Sequence, residues 1–229
     1  MQADSTSIEA WLPWLLQASD SQFPSGSYAH SMGMEELAQH GLINNADGVE
    51  RFVHHQILPS LCAFELPFLV QAHQAATCES AEDLRRLDEE LDAWKLTVEL
   101  RQASRQIGSR RLALVRKLQP GSLIEAYASA SPPSHHLIVA ALELRHTPLC
   151  AALAVFGFQT IAGYTSAAMK LVRMGQERSQ SILRGAMEVL TARLPRIAEG
   201  TFERIGWFNP LLEIASMRHA RARERLFIS

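Results

Sequence analysis

The chain has 229 residues, of which 47% are hydrophobic and 20% charged, a composition that folds and buries its own core. Acids number 24 against 22 Lys and Arg, and a net charge of −2 excludes the global positive field that would gather nucleic acid or an anionic membrane. The 30 Leu and 31 Ala outweigh 9 Val, 12 Ile and 8 Thr, so an all-α fold is expected, because Ala and Leu favour helices and β-branched residues favour strands.

Apolar residues recur in threes and fours along most of the chain. Ile8 to Ala18 reads as a first helix, followed by a Ser-, Pro- and Gly-rich break at Ser19 to Ser27. A second helix is expected from Tyr28 to His40, stopped by Gly41. Asp47 caps a third over Gly48 to Leu58, closed by Pro59, and Ser60 to Thr77 forms a fourth, bent near Pro67. Glu79–Trp94, Thr97–Leu118 and Ser122–Ala130 follow, and Ser131-Pro132-Pro133-Ser134 is a loop. Pro148 then opens a central apolar helix near 148–168. Thr147 to Met169 is free of formal charge and long enough to cross a bilayer, but Gln159, Thr160, Gly163, Tyr164, Thr165 and Ser166 favour the middle of a helical bundle. Glu177 to Ile197 is the last long amphipathic helix. Together these make a single-domain bundle of about nine or ten helices over 1–209, followed by a tail, 210–229.

The tail carries Arg218, Arg221, Arg223 and Arg225 against Glu213 and Glu224, interleaved with Leu211, Leu212, Ile214, Met217, Leu226 and Phe227. It is too apolar for a solvated end, so it either packs on its own domain or orders on a partner. Of the 22 bases 19 are Arg, the residue suited to interface ion pairs, although from composition alone a codon bias toward Arg and Ala explains the count better.

Little in the sequence points to catalysis. G-x-x-x-x-G-K-[ST], H-E-x-x-H and G-x-S-x-G are all absent. Cys62, Cys78 and Cys150 form neither a disulfide framework nor a cysteine zinc site. Acids stand in the first residues where a signal peptide needs bases, so the protein is expected to be cytoplasmic. His54-His55 and His135-His136 suggest metal, yet neighbours on a helix diverge by about 100° and read better as ordinary surface or core histidines. Ser25, Ser27 and His30 suggest a nucleophile and base, but no third group orients them, and a serine there suits a helix cap. Gly33 inside the expected second helix implies that another element crosses closely. On that helix Ser31 and Glu35 share a face with Tyr28 and His30 nearby, and buried polar groups there need partners.

The segment Leu15-Leu16-Gln17, Phe23-Pro24 and Gly26-Ser27-Tyr28-Ala29-His30-Ser31-Met32-Gly33-Met34-Glu35 resembles the urease accessory protein UreF family. Three further stretches match in order: Ala103 to Gly108, Lys170 to Gln176, and an ending of Ile214-Ala215-Ser216-Met217-Arg218-His219 followed by Arg225-Leu226-Phe227-Ile228-Ser229. Arg173, Ala220 and Arg223 depart from the family pattern of Pro, Glu and an aromatic residue. The resemblance implies an all-α, non-catalytic protein without a resident cofactor. It implies a homodimer that binds a UreD-type (UreH-type) accessory protein and recruits the GTPase UreG to deliver nickel to the urease apoprotein. Neither nucleic acid nor membrane is implied as a partner. Regulation of UreG by an arginine is conceivable by analogy, and the sequence selects none. By position, the partner-binding residues are Tyr28, His30, Glu35, Ser216, Met217, Arg218, His219, Arg225, Leu226 and Phe227. The alternative is a nickel-binding metallochaperone that uses its surface histidines.

Overall fold

The computed structural model describes residues 8–222 and 224–229; the signal-peptide reading of residues 1–7 and the Arg223 departure lie outside them. The described residues are helical and contain no strand, as the Ala and Leu excess predicts. In chain order the helices are α1 (Leu12–Ser19), α2 (Met34–Gln39), α3 (Ala46–Phe52), α4 (Leu58–Ser60), α5 (Leu66–Thr77), α6 (Ala81–Trp94) and α7 (Val98–Leu118). They continue as α8 (Ser122–Ser129), α9 (His136–Glu143), α10 (Leu149–Leu171), α11 (Gln176–Thr191), α12 (Leu194–Ala198) and α13 (Pro210–His219).

Several sequence expectations change. Pro59 does not end a helix. Residues 46–77 run as one continuous rod in which two π turns, Val53–Ile57 and Leu61–Glu65, separate α3, α4 and α5. Each π turn closes through an amide reaching five residues back, Leu58 to Val53 and Leu66 to Leu61. Pro59 and Pro67 then enter in the first turn of the resumed α segment, where their missing N–H is not needed.

The expected helix 28–40 is also broken. Only a 3₁₀ turn, Ser27–Ala29, precedes α2, because Met32 (φ 52°) and Gly33 (φ 86°) both turn left-handed. Gly33 therefore begins the helix. Its reason is nevertheless the anticipated one, since a Cβ there would lie 3.4 Å from Leu212 O and 3.5 Å from the Ala215 side chain of the crossing α13. No serine side chain caps the first turn of α2 at its N-cap position. Ser25 Oγ instead accepts a 3.4 Å bond from the Ser27 amide, and Ser31 Oγ accepts one of 3.4 Å from the Glu35 amide.

The third change concerns the centre. The most enclosed helix is α9, which the sequence leaves unassigned, with every residue from Leu137 to Glu143 buried against α5, α6 and α7. Its uniform apolarity and short length hide it from a periodicity search. The longer apolar helix α10 packs one side on α2, α5, α11 and α12 and exposes Phe158 and Met169 on the other. It is long and apolar enough to span a membrane, with a third of its most apolar window buried. Glu177–Ile197 is likewise two helices, α11 and α12.

A single apolar cluster runs through the rod, α6, α9, α10 and α11. A smaller one, Leu15, Ala18, Leu144 and Ala152, seats α1. There a buried ion pair joins Arg111 to Glu143 at 2.6 Å, Arg111 also donates to Ala18 O, and Trp14 Nε1 donates to Glu143 O. Arg111 further stacks 4.8 Å from the centre of the Phe23 ring.

Candidate functional site

The junction of the Phe23–Gly41 segment with the C-terminal tail brings most of the sequence-selected residues together. The last residues lie along the chain just before α2. Ile228 donates its amide to Ala29 O at 2.8 Å, and Ser229 O accepts the amides of Ser31 and Met32 as well as Ser31 Oγ.

Glu35, on the first turn of α2, is the centre of this join. Its carboxylate accepts the amides of Leu226 (2.7 Å) and Phe227 (3.0 Å), the Gln39 side chain (3.1 Å) and His219 Nε2 (2.9 Å). Burial pushes its pKa up, but the Leu226 amide, His219 and the Phe227 amide together hold it below the usual carboxylate range. The other ring nitrogen of His219, Nδ1, lies 2.8 Å from Glu99 Oε1 on α7. Glu99 Oε2 accepts Ser216 Oγ at 3.1 Å, and Arg225 approaches Glu99 at 3.8 Å. Phe227 is buried beneath the Lys170 ammonium, 5.1 Å from its ring centre.

Five of the ten selected residues thus face inward: His30, Glu35, Ser216, His219 and Phe227. They hold the tail to the body. Tyr28 (75% exposed), Met217 (54%) and Leu226 (64%) face solvent with Arg218 and Arg225. Sequence reasoning passed over Glu99, and it matched Ser229 and the exposed Ile228 in the ending without selecting them as partner-binding. Glu99 is one acid among many in a first helical turn, and nothing local marks it as the second acceptor for a histidine 120 residues away.

Ser25, Ser27 and His30 do not converge. Ser25 and Ser27 bond each other, whereas His30 Nδ1 pairs with Ser229 Oγ at 2.7 Å. Burial first, and then Arg110, lower the His30 pKa.

The histidine pairs diverge as helix geometry requires. His55 is exposed while His54 is half-buried. His135 is fully buried between Ser104 and Asp92, and burial lowers its pKa to about 4. Burial takes His136 to about 3. Among the described residues no three His, Cys, Asp or Glu side chains are grouped to hold a metal ion.

The Ala103–Gly108 match has a structural explanation. Ser104 bonds His135 at 3.0 Å, Arg105 pairs with Asp92, and a Cβ at Gly108 would collide with the backbone of Ser134 to His136. The chain ahead of α9 is further held by Asp88, which accepts the Ser134 amide (2.6 Å), the His135 amide (2.9 Å) and Tyr127 OH (2.8 Å). Arg173 sits exposed in the α10–α11 connection, and Ala220 ends α13 facing solvent.

A cavity of about 620 Å³ opens inside the bundle, with Glu65, Lys95, His136 and Glu213 in its wall. Burial raises the pKa of Glu65 and lowers that of Lys95, whose charge Glu65 and Glu213 help to retain.

Residues 43–187 match the sequence profile of the UreF family. A urease accessory protein UreF from Paenarthrobacter aurescens (strain TC1) is 31% identical over 225 residues, covering 94% of this chain and 96% of its own length. Proteins of the same name from Arthrobacter sp. (strain FB24) and Bacillus sp. (strain TB-90) are 29% and 28% identical, each over 94% of this chain and at least 96% of their own.

Proposed function

The chain belongs to the UreF family of urease accessory proteins, and from that premise we propose that it is a cytoplasmic, non-catalytic adaptor. It bridges a UreD/UreH-type accessory protein and the GTPase UreG, acts as a homodimer, and serves nickel insertion into the urease apoprotein. Hydrolysis then belongs to UreG, in keeping with a chain that has no G-x-x-x-x-G-K-[ST] of its own.

The observation that supports this reading most directly is the surface beside the seated tail. Tyr28, Leu226 and Ile228 expose more than half of their area, and Arg225 stands next to them. Large exposed apolar side chains with a flanking guanidinium suit a protein partner. We assign this surface to the UreD-type protein. The buried members of the sequence-selected set support it from beneath and do not touch the partner.

Pull-down of the UreD-type protein by the full chain tests this assignment, with the paired variant Tyr28→Ala/Leu226→Ala as the comparison. Stability should stay within about 0.5 kcal/mol because both side chains are exposed, while capture falls at least about tenfold. Undiminished capture by the variant would remove the surface from the account.

A further inference from the structure

One end of the interior cavity is built from three chain segments, and each supplies an aromatic ring beside a polar side chain. The second π turn brings Phe64 and Glu65, the end of α6 brings Trp94 and Lys95, and the approach to α13 brings Trp207 and Asn209. Glu213, on the first turn of α13, completes the polar set. The segments meet: the Phe64 and Trp94 rings lie 5.6 Å apart, and a Cβ at Gly206, next to Trp207, would come within 3.0 Å of the Trp94 ring.

The rings have neighbours, but the polar groups lack partners. Asn209, only 7% exposed, commits its Oδ1 to the Leu212 amide at 3.2 Å, and its Nδ2 has no acceptor among the described residues. Glu213 Oε2 is buried without a donor among them. Glu65 accepts one long bond, 3.4 Å, from Ser60 Oγ. Lys95 feels the charges of Glu65 and Glu213 but pairs directly with neither among the described residues. Two donors, on Lys95 and Asn209, thus call for an acceptor, while two carboxylates, Glu65 and Glu213, call for donors. A lone cation serves the carboxylates and leaves the donors, and a lone anion does the reverse. One molecule carrying both an ammonium and a carboxylate serves both sets.

We propose that this end of the cavity binds a free aromatic α-amino acid. Its carboxylate lies toward Lys95 and Asn209, its ammonium toward Glu213 and Glu65, and its ring among Phe64, Trp94 and Trp207. The cavity volume of about 620 Å³ falls within the usual range of small-molecule sites. A π turn in the wall is in keeping with that use, since such turns recur at functional sites. The site uses none of Tyr28, Arg225, Leu226 and Ile228, so it stands or falls apart from the adaptor reading.

Isothermal titration calorimetry of the full chain with L-phenylalanine tests it, beside phenethylamine, which lacks the carboxylate, and 3-phenylpropionate, which lacks the ammonium. Phenylalanine should saturate one site with a Kd of about 1 mM or below. Each analogue should bind at least about tenfold more weakly, because the group it lacks leaves one polar set unmet. The Trp94 and Trp207 indole N–H signals should shift in NMR in step with saturation, while those of Trp11 and Trp14 hold. Lys95→Met and Glu213→Gln should each weaken phenylalanine at least about tenfold. The three ligands on the wild-type chain decide the proposal even where a variant does not fold. Absence of saturable binding by phenylalanine leaves a cavity that holds water only and overturns the site. Analogues that bind as tightly as phenylalanine overturn it too, by reducing it to an apolar pocket. Saturation without a shift at Trp94 and Trp207, or full affinity in a folded Lys95→Met or Glu213→Gln chain, does the same.

Discussion

Asp88 and Glu35 carry out the same chemistry in two parts of the molecule. Each carboxylate receives two successive backbone amides from a chain segment lacking regular structure, Ser134 and His135 in one case and Leu226 and Phe227 in the other. Each adds a side-chain donor, Tyr127 or His219. What differs is how the captured segment continues. The segment on Asp88 runs into α9, the most enclosed helix, and lies against Gly108, so it is held from both ends. The segment on Glu35 lies at the end of the described residues and is also held by backbone bonds, Ile228 donating to Ala29 O and Ser229 O accepting from Ser31 and Met32. Burial prevails at Asp88 and raises its pKa, whereas hydrogen bonds prevail at Glu35 and lower it. Similar hydrogen-bond sets thus leave one carboxylate dominated by burial and the other by its donors.

The comparison breaks if Asp88 proves as replaceable as Glu35. Asp88→Ala orphans two amides and a tyrosine hydroxyl at full burial and should lower unfolding free energy by about 4 kcal/mol, read from denaturant midpoints at unchanged m-value. Glu35→Ala should cost about 2 kcal/mol and act locally, stripping exchange protection from Leu226 and Phe227 while leaving Ser134 and His135 protected.

Acid sharpens the contrast. The folded pKa of Glu35 lies below its unfolded value of about 4.3, so its contribution is present above that pH and fades as pH falls through the folded value. The folded pKa of Asp88 is raised, so its linkage runs the other way and disappears as pH rises. Acidification should therefore loosen the tail amides before the Asp88 amides, in the same exchange experiment. The smallest effect is expected at Gly33→Ala, which places a Cβ in a left-handed conformation beneath α13 and should cost about 1 kcal/mol in a thermal melt.

Much of the fold was legible because local rules govern it. The Ala and Leu excess and the long amphipathic α7 act within a few residues of themselves, although the cap of α3 is Asn45, whose side chain accepts the Gly48 amide, and not the expected Asp47. The rod escaped because a π turn shifts the apolar phase by one residue, and prolines read as stops when a wider turn precedes them. α9 escaped because a helix buried on all sides has no polar face to give it a period. At the site, sequence located Tyr28, His30, Glu35 and the tail but not their orientation. Whether a polar residue meets a partner or its own chain depends on which distant segment fills the space, and Glu99 enters only through that packing.

The two π turns have a mechanical consequence. A helix carrying ordinary bonds along its length transmits a push as a stiff strut. This rod is interrupted at Val53–Ile57 and Leu61–Glu65, and each interruption is followed by a proline that contributes no bond of its own. Ile57, Ser60, Phe64 and Glu65, from these joints, also line the interior cavity. The irregular part of the rod thus coincides with the stretch that lines the cavity.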